Sequence, residues 1–182
     1  MQQRDRLHQQ RLRTFIEKLD RVECDITREQ LNDDEFCHAV IVILSAVGRT
    51  DREEKIHLFA VMLSNYKRVV LSNDKDTYEE LLRVLDDMSY REFQILLILC
   101  ELEKAEVGRR THPAEPFNFW PEFLSSATKI GVSQDEMLGF LNRLTRTGCF
   151  HVLGDAHPTG AQRSGYTTPT FRRLVEAVTV YK

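Results

Sequence analysis

Asn142, Arg143 and Arg146 are the residues of this 182-residue sequence whose types and spacing most invite a chemical reading. They lie in "SQDEMLGFLNRLTRTG", residues 133–148, where Met137, Leu138, Leu141 and Leu144 recur at helical spacing. On a helix the three polar residues share the opposite face with Asp135 and Gly139. Arginine can bond guanine bidentately and asparagine can do the same for adenine. The face therefore holds residue types able to read base edges. Asp135 and Gly139 weaken that reading, since neither favours a reading surface. The plain alternative is a solvated polar face, which any surface helix must have.

Other chemistry finds less support. Of six histidines, His151 and His157 lie nearest a cysteine, Cys149, but the spacing matches no standard zinc site. Cys37 and His38 are adjacent and point to different faces of a helix, so they do not form a nucleophile and base. The sequence has no G-x-S-x-G, no H-E-x-x-H and no phosphate-binding G-x-x-x-x-G-K-[ST]. No catalytic residue, cofactor, metal or small-molecule substrate is indicated, and the chain is expected not to be an enzyme. The acidic pairs Asp33/Asp34, Glu53/Glu54 and Glu79/Glu80 suit helix starts, where carboxylates complement the dipole. Asp86/Asp87 lie near a helix C-terminus, where the dipole disfavours them. Solvation or a basic partner would account for that pair.

Composition bounds the class. Hydrophobic residues make up 42% and charged residues 29%, an ordinary globular balance. With 8 glycines and 5 prolines the chain favours long helices. No apolar run is long enough to span a membrane, and the N-terminal "MQQRDRLHQQRLR" lacks the apolar stretch of a signal peptide, so a cytoplasmic location is expected. The four cysteines, Cys24, Cys37, Cys100 and Cys149, have no CxxC spacing and read as reduced, buried thiols. Residues 112–182 carry seven lysines and arginines against six aspartates and glutamates, leaving −4 of the total −3 on residues 1–111. Neither part has the basic excess of a typical nucleic-acid binder.

The elements that must position these residues are mainly α-helical. In "RDRLHQQRLRTFIEKLDRVECDI", Leu12, Phe15, Ile16, Leu19, Val22 and Ile26 form one apolar stripe. Such a helix packs on its own body or pairs with a second copy. Asn32 or Asp33 can cap a helix containing "AVIVIL" and stopped by Gly48. Apolar on nearly every side, that helix is expected at the centre of a bundle. Asp51 and Glu54 make a capping-box pattern before Ile56, Phe59, Ala60, Leu63 and Tyr66, as do Ser89 and Glu92 before Phe93, Leu96, Leu97, Leu99 and Cys100. Between them lies a helix with Leu81, Leu82, Val84 and Leu85. "EVGRRTHPAEPFNFWPEF" holds three of the five prolines and reads as a boundary. Its Trp120 either fastens the linker to a core or stacks on a ligand. A short helix to Gly131, a helix boxed by Ser133 and Glu136, a strand "CFHVL", a glycine-bearing loop, a second strand and a helix capped by Thr168 complete the chain. The expected fold class is mainly α: a helical bundle over 1–107, a linker over 108–118, and a small α+β module with a short β-hairpin over 119–182.

The order of elements in 133–168, carried by "SQDEMLGFLNRLTRTGCFHVL" and "GYTTP", resembles the second helix and wing of a winged-helix domain. The resemblance covers about a fifth of the chain. It implies that Arg163, near the wing tip "DAHPTGAQRS", would meet a minor groove or phosphate beside Asn142, Arg143 and Arg146, with Lys129 and Arg172 or Arg173 on backbone phosphates. Many winged helices bind only proteins, so the fold does not carry the function. The stretches 33–70 and 78–99 also resemble a helical region of uncharacterised bacterial proteins, some of which have a membrane segment upstream and some a defence setting. That resemblance implies a bacterial origin and names no activity. Together these readings lead to the expectation of a non-enzymatic, cytoplasmic, regulatory protein that binds a protein partner or itself, with a winged-helix DNA-binding transcriptional regulator as the alternative. A protein-binding role predicts an exposed apolar patch.

Overall fold

The computed structural model describes residues 2–22, 24, 26–109, 119–152 and 165–180. Among the described residues are ten helices and one two-stranded antiparallel sheet, a mainly α fold with a short hairpin, and no helix is long and apolar enough to cross a membrane. The chain divides into two compact units, Met1–Tyr90 with Leu174–Lys182, and Arg91–Arg173.

The first unit contains α1 (Gln2–Arg21), α2 (Arg28–Leu31), α3 (Asp34–Arg49), α4 (Glu53–Ser64), α5 (Tyr66–Ser72) and α6 (Lys75–Asp87). Its centre is α4. The run Leu58–Leu63 is apolar without interruption, so every face of the helix needs cover, and each of these residues is buried. The expectation that α3 holds the centre is corrected. Ala39, Ile43, Ala46 and Val47 turn inward, but Ile41 is 65% exposed. Asp33 caps α3 by accepting from the N–H groups of Glu35 (3.0 Å) and Phe36 (3.4 Å). The helix then runs through Gly48 rather than stopping there. Gly48 instead admits the ring of His8, which lies 2.6 Å from where a Cβ would stand.

The first helix packs along α3 and α4, as the reading of a helix bound to its own body requires. Phe15 is 3% exposed, and Arg11 and Lys18 reach Asp51 and Glu53 at the start of α4. That contact removes the expected Asp51/Glu54 box: Arg52 becomes the N-cap without a side-chain bond. The apolar face from Ile56 to Tyr66 does not lie on one helix, because Asn65 (φ −88°, ψ 3°) separates α4 from α5. Its amide donates to the carbonyls of Ala177 and Thr179, both at 2.9 Å. Beneath this break Phe36, Tyr66 and Tyr78 form two edge-to-face pairs with centroids 5.0 and 4.9 Å apart, an arrangement aromatic quadrupoles favour. The Tyr78 hydroxyl donates to the Met62 carbonyl. Asp86 has an internal basic partner: its carboxylate accepts from Arg49 and its carbonyl from Lys55.

The second unit holds α7 (Tyr90–Arg109), α8 (Trp120–Lys129), α9 (Gln134–Arg146), β1 (Phe150–Val152), β2 (Gly165–Thr167) and the first turns of α10 (Pro169–Ala177). The order after 119 is the one expected. Gly131 (φ 82°) ends α8 and Gly148 (φ 70°) follows α9, both in the left-handed region that glycine enters at little cost. Ser133 and Glu136 form the full capping box. In the hairpin Phe150 pairs with Thr167, His151 with Tyr166 and Val152 with Gly165. A Cβ on Gly165 would stand 2.3 Å from the His151 carbonyl oxygen, so the strands close only with glycine there.

The division differs from the expected boundaries. Helix α7 was expected to complete the bundle of 1–107, yet from Arg91 it belongs with the hairpin. Its Phe93 meets Phe171 (5.7 Å between centroids) and its Glu103 binds β2. The linker expected over 108–118 lies mostly outside the described residues, and α7 remains helical to Arg109.

Candidate functional site

In the first unit α1 and α3 leave an open groove of about 440 Å³ between them, lined by His8, Leu12, Ile16, Leu44 and Ser45. Its position follows from helix geometry. Arg11, Phe15 and Lys18 fasten one side of α1 to the body, and His8 seats on Gly48 at one end. Leu12 and Ile16, one and two turns on from His8, then line an adjacent face. Ile41 precedes Leu44 and Ser45 on α3 by one turn. Ile16 and Ile41 are each 65% exposed. A single exposed isoleucine is ordinary on a protein surface. Here Ile16 lines the apolar groove, and Ile41 stands one helical turn from its lining residue Leu44. Both residues were legible as apolar positions on helices; that they point outward was not.

The residues singled out for base reading have unequal standing. Asn142 and Arg146 are exposed on α9, as are Asp135 and Gly139. Arg143 is committed elsewhere. Its Nε lies 2.9 Å from Oε1 of Glu92, a carboxylate 4% exposed on α7, and its guanidinium stands 5.8 Å from the Phe140 ring. Using Arg143 on a base would break that pair and leave a buried charge without this partner, which is costly in a low-dielectric setting. Arg163 lies outside the described residues. Arg172 bonds Glu103 at 3.2 Å, while Lys129 and Arg173 are exposed. The structure thus leaves Asn142 and Arg146 exposed on α9, while the half-exposed Arg143 ties α9 to α7 through Glu92.

Glu103 is a buried acceptor for several donors at once. It is 6% exposed and accepts from the Thr167 N–H (2.6 Å), the Thr167 hydroxyl and Arg172. Thr167 is fully buried, so this carboxylate satisfies a backbone donor that water cannot reach. Cys100 lies beside the cluster, and burial raises its thiol pKa, leaving it a poor nucleophile. In the first unit burial, then the charges of Lys18 and Arg21, lowers the pKa of His57, whose Nδ1 is buried without a hydrogen-bond partner. Burial, then Asp33, Glu35 and Glu79, pushes the Tyr66 hydroxyl up to about 12. Hydrogen bonds from Ser133 hold Glu136 below the usual carboxylate range.

Among the described residues no group of three His, Cys, Asp or Glu side chains is placed to hold a metal ion. His151 stacks on Tyr166 at 5.0 Å and Cys149 is fully buried with its Sγ 3.7 Å from the Thr147 carbonyl; His157 lies outside the described residues. Trp120 packs edge-to-face on Phe123 at 5.0 Å, the fastening role considered for it. No family model, curated protein or solved structure matches this chain.

Proposed function

We propose that this protein is a non-enzymatic binding and regulatory protein of the cytosol that acts by recognising another protein, and that the groove between α1 and α3 is the surface it uses. The observation that carries this reading is Ile16, 65% exposed on a helix, lining with Leu12 and Leu44 an open apolar groove. Covering such a surface removes apolar area from water at about 25 cal/mol per Å², a driving force that needs no catalytic group. The cytosolic setting is supported by the cysteine pattern of the sequence, four residues with no CxxC spacing. The bacterial origin and regulatory role rest on the sequence resemblances alone. The test compares wild type with Ile16→Glu/Ile41→Lys in affinity capture from lysate, circular dichroism confirming that both fold. Bound proteins lost from the variant alone are expected; retention of the same proteins by the variant would reject the groove.

A second reading, a winged-helix DNA-binding regulator, is favoured by the exposed Asn142 and Arg146 on α9, the helix that precedes the hairpin. The commitment of Arg143 to Glu92 and the lack of a basic excess weigh against it. Fluorescence anisotropy with mixed-sequence duplex DNA, at low and at physiological salt, tests it. DNA binding would weaken steeply with salt and fall in Arg146→Ala.

A further inference from the structure

We propose that the groove's occupant is a second copy of this chain, the α1 helices of the two copies lying antiparallel across a two-fold axis. The proposal rests on the reading of the groove as a protein-binding surface. The spacing of Leu12, Ile16 and Leu19, four and then three residues, is the seam of a helix that packs along another helix. A two-fold interface must be self-complementary, each contact occurring twice. Setting Ile16 against Leu19 of the partner subunit fixes the register. In that register Arg13 falls across from Asp20 of the partner subunit, and the same pair recurs on the other side of the axis.

Arg13 and Asp20 are exposed on α1, away from Arg11 and Lys18, which serve the contacts with α4. They flank Ile16 on its solvent side, where edge charges set partner and orientation in paired helices. A parallel pairing would set Arg13 level with Arg13 of the partner subunit and Asp20 level with its own copy. The charge pattern therefore selects the antiparallel arrangement and is satisfied by the chain itself. Leu44 supplies the second wall, so α1 and α3 of both copies would close a four-helix core.

Sedimentation equilibrium of the full chain tests the proposal, using wild type, Arg13→Asp, Asp20→Arg and the double reversal Arg13→Asp/Asp20→Arg. Each single reversal turns two opposite pairs into two like pairs, and dimerisation should weaken by about tenfold. The double reversal should return it close to wild type. Because both positions are exposed, folding is unaffected and checked by circular dichroism. A wild-type chain that stays monomeric to millimolar concentration overturns the proposal, as does a double reversal no tighter than the single ones. An apolar fluorescent dye separates the two readings. A monomer whose dye binding is lost in Ile16→Glu keeps the groove and sinks the self-pairing. A dimer unaffected by Ile16→Glu sinks both.

Discussion

Replacing Glu103 by alanine is the severest single test of how the second unit is held together. The carboxylate accepts from the Thr167 N–H, the Thr167 hydroxyl and Arg172. Alanine leaves the N–H of fully buried Thr167 without this acceptor, which costs about 1–3 kcal/mol for an unpaired buried donor. Loss of packing along the buried stem adds about 1 kcal/mol, and release of the carboxylate's own desolvation penalty offsets part of the total. A net destabilisation of about 2 kcal/mol follows, equivalent to a Tm lower by about 4–8 °C in a chain of this size. Glu103→Gln keeps one oxygen for the Thr167 N–H and should cost about 1–2 kcal/mol. Urea unfolding followed by Trp120 fluorescence is the assay, since the single tryptophan reports the unit that contains Glu103. A change below about 0.5 kcal/mol for Glu103→Ala would refute the reasoning, because a surface substitution does no more.

Three further outcomes are expected. Arg143→Ala should destabilise the second unit by about 1–2 kcal/mol by the same fluorescence assay, a buried-pair cost discounted because Arg143 is half-exposed; combining it with Glu92→Leu should recover part of the loss. Gly48→Ala should be near neutral, a gain of about 1 kcal/mol in helix propensity offsetting displacement of the exposed His8 ring, and a double-mutant cycle of urea midpoints with His8→Ala should show positive coupling of about 0.5–1 kcal/mol. His57 has a folded pKa below its ordinary value of 6.5, so its contribution is fully present above that pH and is lost as pH falls from there through the folded value. Thermal melts between pH 8 and pH 5 should therefore show a decline that is shallower in His57→Gln.

What could be read in the sequence depended on whether the deciding partner lay nearby. The Ser133–Glu136 box formed because its two residues need only each other. The same pattern at Asp51 and Glu54 failed because Arg11, 40 residues away, takes the aspartate. The apolar period of α7 is the same whichever unit it joins; the contact between Glu103 and Thr167, 64 residues apart, assigns it. Arg143 was legible as an arginine on a polar face, but the buried Glu92 that holds it was not. The groove was hidden for a related reason. Leu12 and Ile16 belong to a stripe whose period fits full burial, and only the seating of Phe15 and His8 decides which part of it stays open.

Contact with a second copy of the chain is proposed to run through the groove of α1 and α3. Photocrosslinking tests it most directly, with benzoylphenylalanine in place of Ile16 and, as a control, in place of Leu71, which is 86% exposed and lies away from the groove. A discrete product of twice the chain's mass is expected from the Ile16 position and none from Leu71. No product from Ile16, or equal products from both positions, would contradict it.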